Sequence, residues 1–138
     1  MLNGKPADDL TLEQVEEQSW GTPPPEATKL MTTVYQLRRK PLGALAPEDL
    51  RVLLSQQVGV DVLVPRTLDL LTADPLLEGD YYPGDVLVAV LKTPPSYWSA
   101  HPDQFAKVSQ ILQRVGPDEV DAETRRDIED FRARTSGM

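Results

Sequence analysis

Pro83-Gly84-Asp85-Val86-Leu87-Val88-Ala89-Val90-Leu91 is the stretch on which the fold class turns. Its last six residues are apolar without interruption, and valines alternate at 86, 88 and 90. Periodicity alone therefore admits either a buried strand or a buried helix. The flanks favour the helix. Pro83 suits a first helical turn, and Asp85 suits the positive end of a helix dipole. No second convincing strand exists to pair with this one, and an isolated strand leaves its backbone groups unsatisfied. The expected fold is all-α; the alternative is α+β with a short strand at 86–91.

Toward the C-terminus, Pro94-Pro95 breaks the chain and Ser96-Tyr97-Trp98 opens a single turn. Phe105, Val108, Ile111, Leu112 and Val115 then form a helical stripe from Pro102, which Gly116-Pro117 stops. Asp121 to Arg134 is charged, with Ile128 and Phe131 as its apolar contacts, and reads as a peripheral helix. There Glu123 and Asp127 repel at i, i+4, whereas Arg125 and Glu129 attract.

Toward the N-terminus, a helix follows Val64-Pro65 with Leu68 and Leu71 inward and ends near Asp74-Pro75. Ala46-Pro47-Glu48-Asp49 starts another, with Leu50, Leu53, Leu54 and Val58 inward and Gly59 as its C-terminal cap. Pro25 to Lys40 carries Ala27, Leu30, Met31, Val34 and Leu37 on one face. Arg38, Arg39 and Lys40 then occupy a solvated last turn, a reading preferred to a phosphate site. Thr11-Leu12-Glu13-Gln14 is a capping box for a helix over Leu12 to Gln18. The expected architecture is one compact domain over 1–138, of about six or seven short helices joined by proline-rich turns. Residues 1–9 and 135–138 are expected to be poorly ordered.

Composition narrows the chemistry. The 138 residues include no Cys and one His, which excludes thiol catalysis, cysteine-ligated metals, disulfides and any site of two imidazoles. No apolar run approaches the ~18 residues of a membrane span, and no signal peptide is visible, so cytoplasmic residence without membrane contact is expected. The net charge of −8 argues against nucleic-acid binding and suits a basic partner. That charge is uneven: residues 29–51 sum to +3, and residues 61–85 to −5.

Within the acidic part, Glu78, Asp80 and Asp85 flank Tyr81 and Tyr82. Tyrosines beside carboxylates combine apolar area with hydrogen bonding, a composition typical of interfaces. The plainer reading, that these carboxylates cap helices and aid solubility, stands beside it. Asp80, Asp85 and Tyr82 as an acid–base site lack any accompanying motif. His101 has no nucleophile partner, Gly79-Asp80 and Gly84-Asp85 lack phosphate-loop spacing, and no calcium-loop pattern is present. Gln56-Gln57 reads as a polar patch or as bonding to a neighbouring loop. No enzyme activity, metal or cofactor is expected.

Four strings taken in order are more specific. Leu37-Arg38-Arg39-Lys40-Pro41-Leu42, Pro47-Glu48-Asp49-Leu50-Arg51, Leu54-Ser55-Gln56-Gln57-Val58-Gly59 and the run Asp74 to Leu87 resemble the immunity proteins of contact-dependent growth inhibition systems. Leu63-Val64-Pro65 and Trp20-Gly21 fit the same pattern, and Gly79-Asp80-Tyr81-Tyr82-Pro83-Gly84-Asp85 is its most specific part. The resemblance covers roughly Leu10 to Trp98. It implies a small cytoplasmic protein that binds and neutralises the toxin domain of a cognate effector, a basic nuclease, by blocking its active site or an adjacent surface. A monomer is favoured, and Glu78, Asp80, Tyr81, Tyr82 and Asp85 are the candidate toxin-binding residues. The alternative is a small helical adaptor or scaffold with no toxin partner.

Overall fold

A computed structural model describes residues 6–137. Among them the chain forms eight α-helices: α1 (Leu12–Glu16), α2 (Lys29–Leu37), α3 (Pro47–Ser55), α4 (Val60–Ala73), α5 (Asp85–Leu91), α6 (Pro95–Ala100), α7 (Pro102–Gln113) and α8 (Ala122–Thr135). Single 3-10 turns sit at Ala7–Asp9, Leu42–Ala44 and Pro117–Glu119. No sheet forms among the described residues; the only bridge there joins Glu78 to Pro83. The expectation of weak order at 1–9 and 135–138 falls partly on residues 1–5 and 138, outside the described chain. Ala7–Asp9 is a hydrogen-bonded turn, and Thr135 is buried with its hydroxyl on the Phe131 carbonyl at 2.8 Å.

The stretch 86–91 is helical, and α5 is the centre of the core. All seven of its residues, Asp85 included, are buried. It packs on α3, α4 and α8, so three amphipathic faces share one apolar cylinder, and a continuous apolar sequence is what that position requires. Trp98 on α6, fully buried, sets its ring edge-on to Phe131 of α8 at 5.7 Å and donates its indole N–H to the Thr93 carbonyl at 3.2 Å. Helix α8 is therefore not peripheral. Ile128 and Phe131 enter the core, and Arg134 donates to the Leu91 carbonyl at the end of α5, 2.8 Å away. Arg125 does not use Glu129; it donates to the carbonyls of Pro117 and Val120 at 2.7 and 3.0 Å.

The cap signals hold where a side chain satisfies an orphan amide. The Thr11 hydroxyl accepts from Gln14 N while the Gln14 side chain accepts from Thr11 N. Asp49 accepts from Ala46 N at 2.9 Å, and Asp121 from Thr124 N at 2.8 Å. Three starts differ from expectation; α5 begins at Asp85 behind a Gly84 cap, leaving Pro83 outside the helix. Helix α2 begins at Lys29, because the Thr28 hydroxyl accepts from Met31 N whereas Pro25 offers no such bond. Of the expected inward stripe only Val34 and Leu37 are buried, while Leu30 and Met31 are exposed, at 45 and 46 %. Helix α4 begins at Val60 and carries Pro65 inside, because Gly59, in the left-handed region at φ 68°, caps its start rather than the end of α3. A Cβ at Gly59 would lie 2.9 Å from Leu12, so glycine also lets α1 close on this turn.

The largest departure is Arg38, which is 1 % exposed instead of solvated. Its Nη1 pairs with Glu16, its Nη2 donates to the Gln18 carbonyl at 2.8 Å, and its Cζ lies 4.3 Å from the centre of the Trp20 ring. One guanidinium thus ties the segment after α1 to the end of α2. Arg39 donates to the Gly21 carbonyl, and Lys40 pairs with Asp49 at 2.8 Å, so all three cations of that turn are engaged within the chain.

Arg38→Ala is expected to lower stability by roughly 2 kcal/mol, since it removes a buried side chain that packs on Trp20 and holds Glu16 and the Gln18 carbonyl. Arg39→Ala, at a half-exposed guanidinium, should stay within about 0.5 kcal/mol of wild type. Urea unfolding of both variants makes the comparison, and equal losses would reassign Arg38 to the surface.

Candidate functional site

The segment from Glu78 to Asp85 joins α4 to α5 and is held by two carboxylates outside its exposed face. Asp85, at the first position of α5, is 3 % exposed. Its Oδ1 accepts from Gly79 N at 2.6 Å, and its Oδ2 from Tyr81 N at 3.0 Å and, more weakly, from Tyr82 N at 3.4 Å. A buried carboxylate is tolerable only with such partners, and here the partners are the segment's own amides. The turn closes through Gly84, at φ 93°, whose N–H reaches the Leu76 carbonyl at 3.2 Å.

The second carboxylate is Glu48, in the first turn of α3. Its Oε1 accepts from Asp80 N at 2.9 Å. Both of its oxygens also hold Arg51, from Nε at 2.7 Å and from Nη2 at 2.5 Å. This forked pairing at i, i+3 is the strong form of a carboxylate–guanidinium contact. The Arg51 bond holds the Glu48 carboxyl below its ordinary range, partly opposed by burial and helped by the Asp80 amide. The Arg51 guanidinium then lies under the Tyr81 ring, its Cζ 4.5 Å from the ring centre. Between the two supports sits Gly79. A Cβ there would stand 2.7 Å from Glu48 Oε1 and 3.1 Å from Asp85 Oδ2, so this close approach requires glycine.

The five sequence-selected residues are thus neighbours but not equivalents. Glu78 and Asp80 are exposed, Tyr81 is 69 % exposed, and Tyr82 is half-buried. Asp85 faces inward, so its carboxylate shapes the segment from beneath. Asp80, Asp85 and Tyr82 do not converge as a catalytic set, because Asp85 is occupied by amides while Asp80 points to an open surface. Burial pushes the Tyr82 hydroxyl up, reinforced by the carboxylates of Asp127, Asp85, Glu123 and Asp121. Tyr82 therefore sits where the segment meets the acidic side of α8. On that side Asp127 is raised by burial and then by Glu123 and Asp130, the i, i+4 repulsion legible in the sequence. Glu48 and Arg51 were missed as site residues: their i, i+3 spacing signals a pair, but nothing local signals that the pair supports a segment some 30 residues away.

Elsewhere, an apolar groove of about 270 Å³ runs between Trp20, Leu30, Met31, Val34, Tyr35 and Val58. His101 stacks on Tyr97 at 4.1 Å with Nδ1 on the Tyr97 carbonyl. Gln57 reaches the Lys92 carbonyl at 3.2 Å, the neighbouring-loop bond that was one of its two readings. Among the described residues no three acidic or imidazole side chains group as metal ligands, and no helix is long and apolar enough to cross a membrane.

The sequence model of a family described as CDI immunity proteins matches residues 14–108. That span holds the whole 78–85 segment with Glu48, Arg51 and Asp85; α8 lies beyond it. A comparison with curated proteins finds no match.

Asp85→Asn replaces one of two buried acceptors by a donor and should cost roughly 2 kcal/mol. Glu48→Gln should be destabilising at neutral pH, and its deficit should shrink as pH falls below about 4.5, because a lowered carboxyl contributes stability that acid removes. Asp127→Asn should be stabilising at neutral pH by a few tenths of a kcal/mol, since its raised carboxyl opposes folding once ionised. Thermal melts of the three variants between pH 3 and 7, an interval of about four units around the carboxylate range, separate the signs. A pH-independent Glu48→Gln deficit would remove the ion pair from the account.

Proposed function

The chain belongs to the CDI immunity protein family, and on that premise we propose that it neutralises its cognate toxin by covering the active site or an adjacent surface, without catalysis. Family membership supports the toxin as partner. The observation that carries the mode of action is the 78–85 segment: two free carboxylates and an exposed tyrosine on a backbone held by Asp85 and Glu48. A pre-shaped segment binds with little ordering cost, and its charge raises association rate and specificity toward a basic partner. The fitting toxin is a basic nuclease, whose substrate groove is cationic because it holds phosphate. The chain's net charge of −8, the acids at 78 and 80 and those on α8 support that polarity. We place the protein in the cytoplasm, as a monomer, with Glu78, Asp80, Tyr81 and Tyr82 at the contact and Asp85 holding them from within.

Charge reversal at Asp85 would confound contact with folding, so Asp80 is the informative position. Cells expressing the toxin domain encoded beside this gene should survive when the wild-type chain is co-expressed, and the two chains should co-purify at equal stoichiometry. Asp80→Lys should weaken the purified complex by roughly tenfold or more, mainly through a slower on-rate at low salt. Absence of both rescue and a complex would overturn the reading, and a folded Asp80→Lys variant of unchanged affinity would remove the segment from the interface.

A further inference from the structure

We propose that Tyr81 is the aromatic anchor of the toxin contact and that Arg51, held by Glu48, is its positioning residue, the pair fitting an apolar pocket flanked by cations. This rests on the reading of the 78–85 segment as the binding surface. Tyr81 is 69 % exposed, ahead of Leu70, Met31 and Leu30 at 46, 46 and 45 %. An aromatic ring so exposed is ordinarily mobile, yet this one is restrained twice. Its amide donates to Asp85 Oδ2 at 3.0 Å, and its ring lies on the Arg51 guanidinium at 4.5 Å. Arg51 cannot swing toward a partner, because Glu48 holds both Nε and Nη2. It is a flat platform rather than a free cation, a role the planar guanidinium performs and an ammonium does not. Tyr81 is thus exposed in one orientation before any partner arrives, the condition under which a tyrosine acts as a hot spot at low entropic cost.

The partner's chemistry follows from what surrounds the ring. Its outer face and edge need apolar contact. The Glu78 and Asp80 carboxylates, which have no intramolecular partner among the described residues, need cations beside that contact.

The test is a double-mutant cycle on the affinity of the full-length chain for the inactivated toxin domain encoded beside its gene. Tyr81→Ala should weaken binding by ~30-fold, the scale of an interface hot spot. Arg51→Lys, which keeps the charge but loses the platform, should weaken it several-fold while circular dichroism melts report a folded protein. The double variant should bind no more weakly than Tyr81→Ala alone, because Arg51 acts through the ring. If Arg51→Lys does not fold, Arg51→Gln, which leaves Glu48 on the Asp80 amide, takes its place in the cycle with the same expected non-additivity. Multiplying effects, or Tyr81→Ala binding like wild type while Asp80→Lys does not, would overturn this inference and leave the interface standing. Unchanged affinity in both Tyr81→Ala and Asp80→Lys would remove the interface itself.

Discussion

The buried carboxylate of Asp85 is the point through which the core and the exposed segment constrain each other. It opens α5, the helix on which α3, α4 and α8 converge, and it accepts from the amides of Gly79 and Tyr81. Glu48 does the same for Asp80 from α3, the helix packed most extensively on α5. The segment is therefore bound to two elements that cannot move independently, because protein cores are close-packed. An irregular connection that would otherwise be among the mobile parts of a small protein inherits the rigidity of its centre.

The charges divide into two populations with different roles. Four of the five cations of residues 29–51 are not free groups: Arg38, Arg39, Lys40 and Arg51 all meet carboxylates or carbonyls of the same chain, while Lys29 is exposed. Arg66 pairs with Asp8 and Lys107 with Asp69 in the same manner. Six of the described cations are thereby matched by carboxylates. What remains for the surface is the excess of acids, including Glu78, Asp80 and the side of α8 around Asp127 that lifts Tyr82. The acidity is thus not a uniform coat but what is left after the internal pairs are formed, and at Asp127 it opposes folding locally.

Local patterns were legible where the cause is local. Stripes placed the inward residues of α3, α4 and α7, and Asp85 marked the first turn of the helix at 86–91 because a carboxylate acts on the nearest turn, whereas Pro83 lies before the Gly84 cap. Partners distant in sequence were not. Arg38 reads as a solvated last-turn cation because nothing near it shows that Glu16 and Trp20 fold back over it. Pro65 reads as a helix start, yet Gly59 supplies an earlier one, and helix α4 accommodates the proline inside. Helix α8 reads as peripheral because two apolar residues suffice for a helix that lies against a side of α5 already apolar. At the site, residue types pointed to the segment, but Asp80 and Asp85 stand in similar Gly-Asp contexts and only three-dimensional packing separates the exposed acid from the buried one.

If the segment held by Asp85 and Glu48 is the surface that meets the toxin, its amides register the partner first. Amide exchange and chemical shifts of the isotope-labelled chain, followed by NMR as the inactivated toxin domain is added, test it most directly. The Gly79 and Tyr81 amides should exchange slowly in the free protein, and the largest shifts on binding should fall on 78–82 and the adjoining side of α8. Fast exchange of those two amides in the free chain, or shifts centred on the Trp20, Leu30 and Met31 groove, would contradict it.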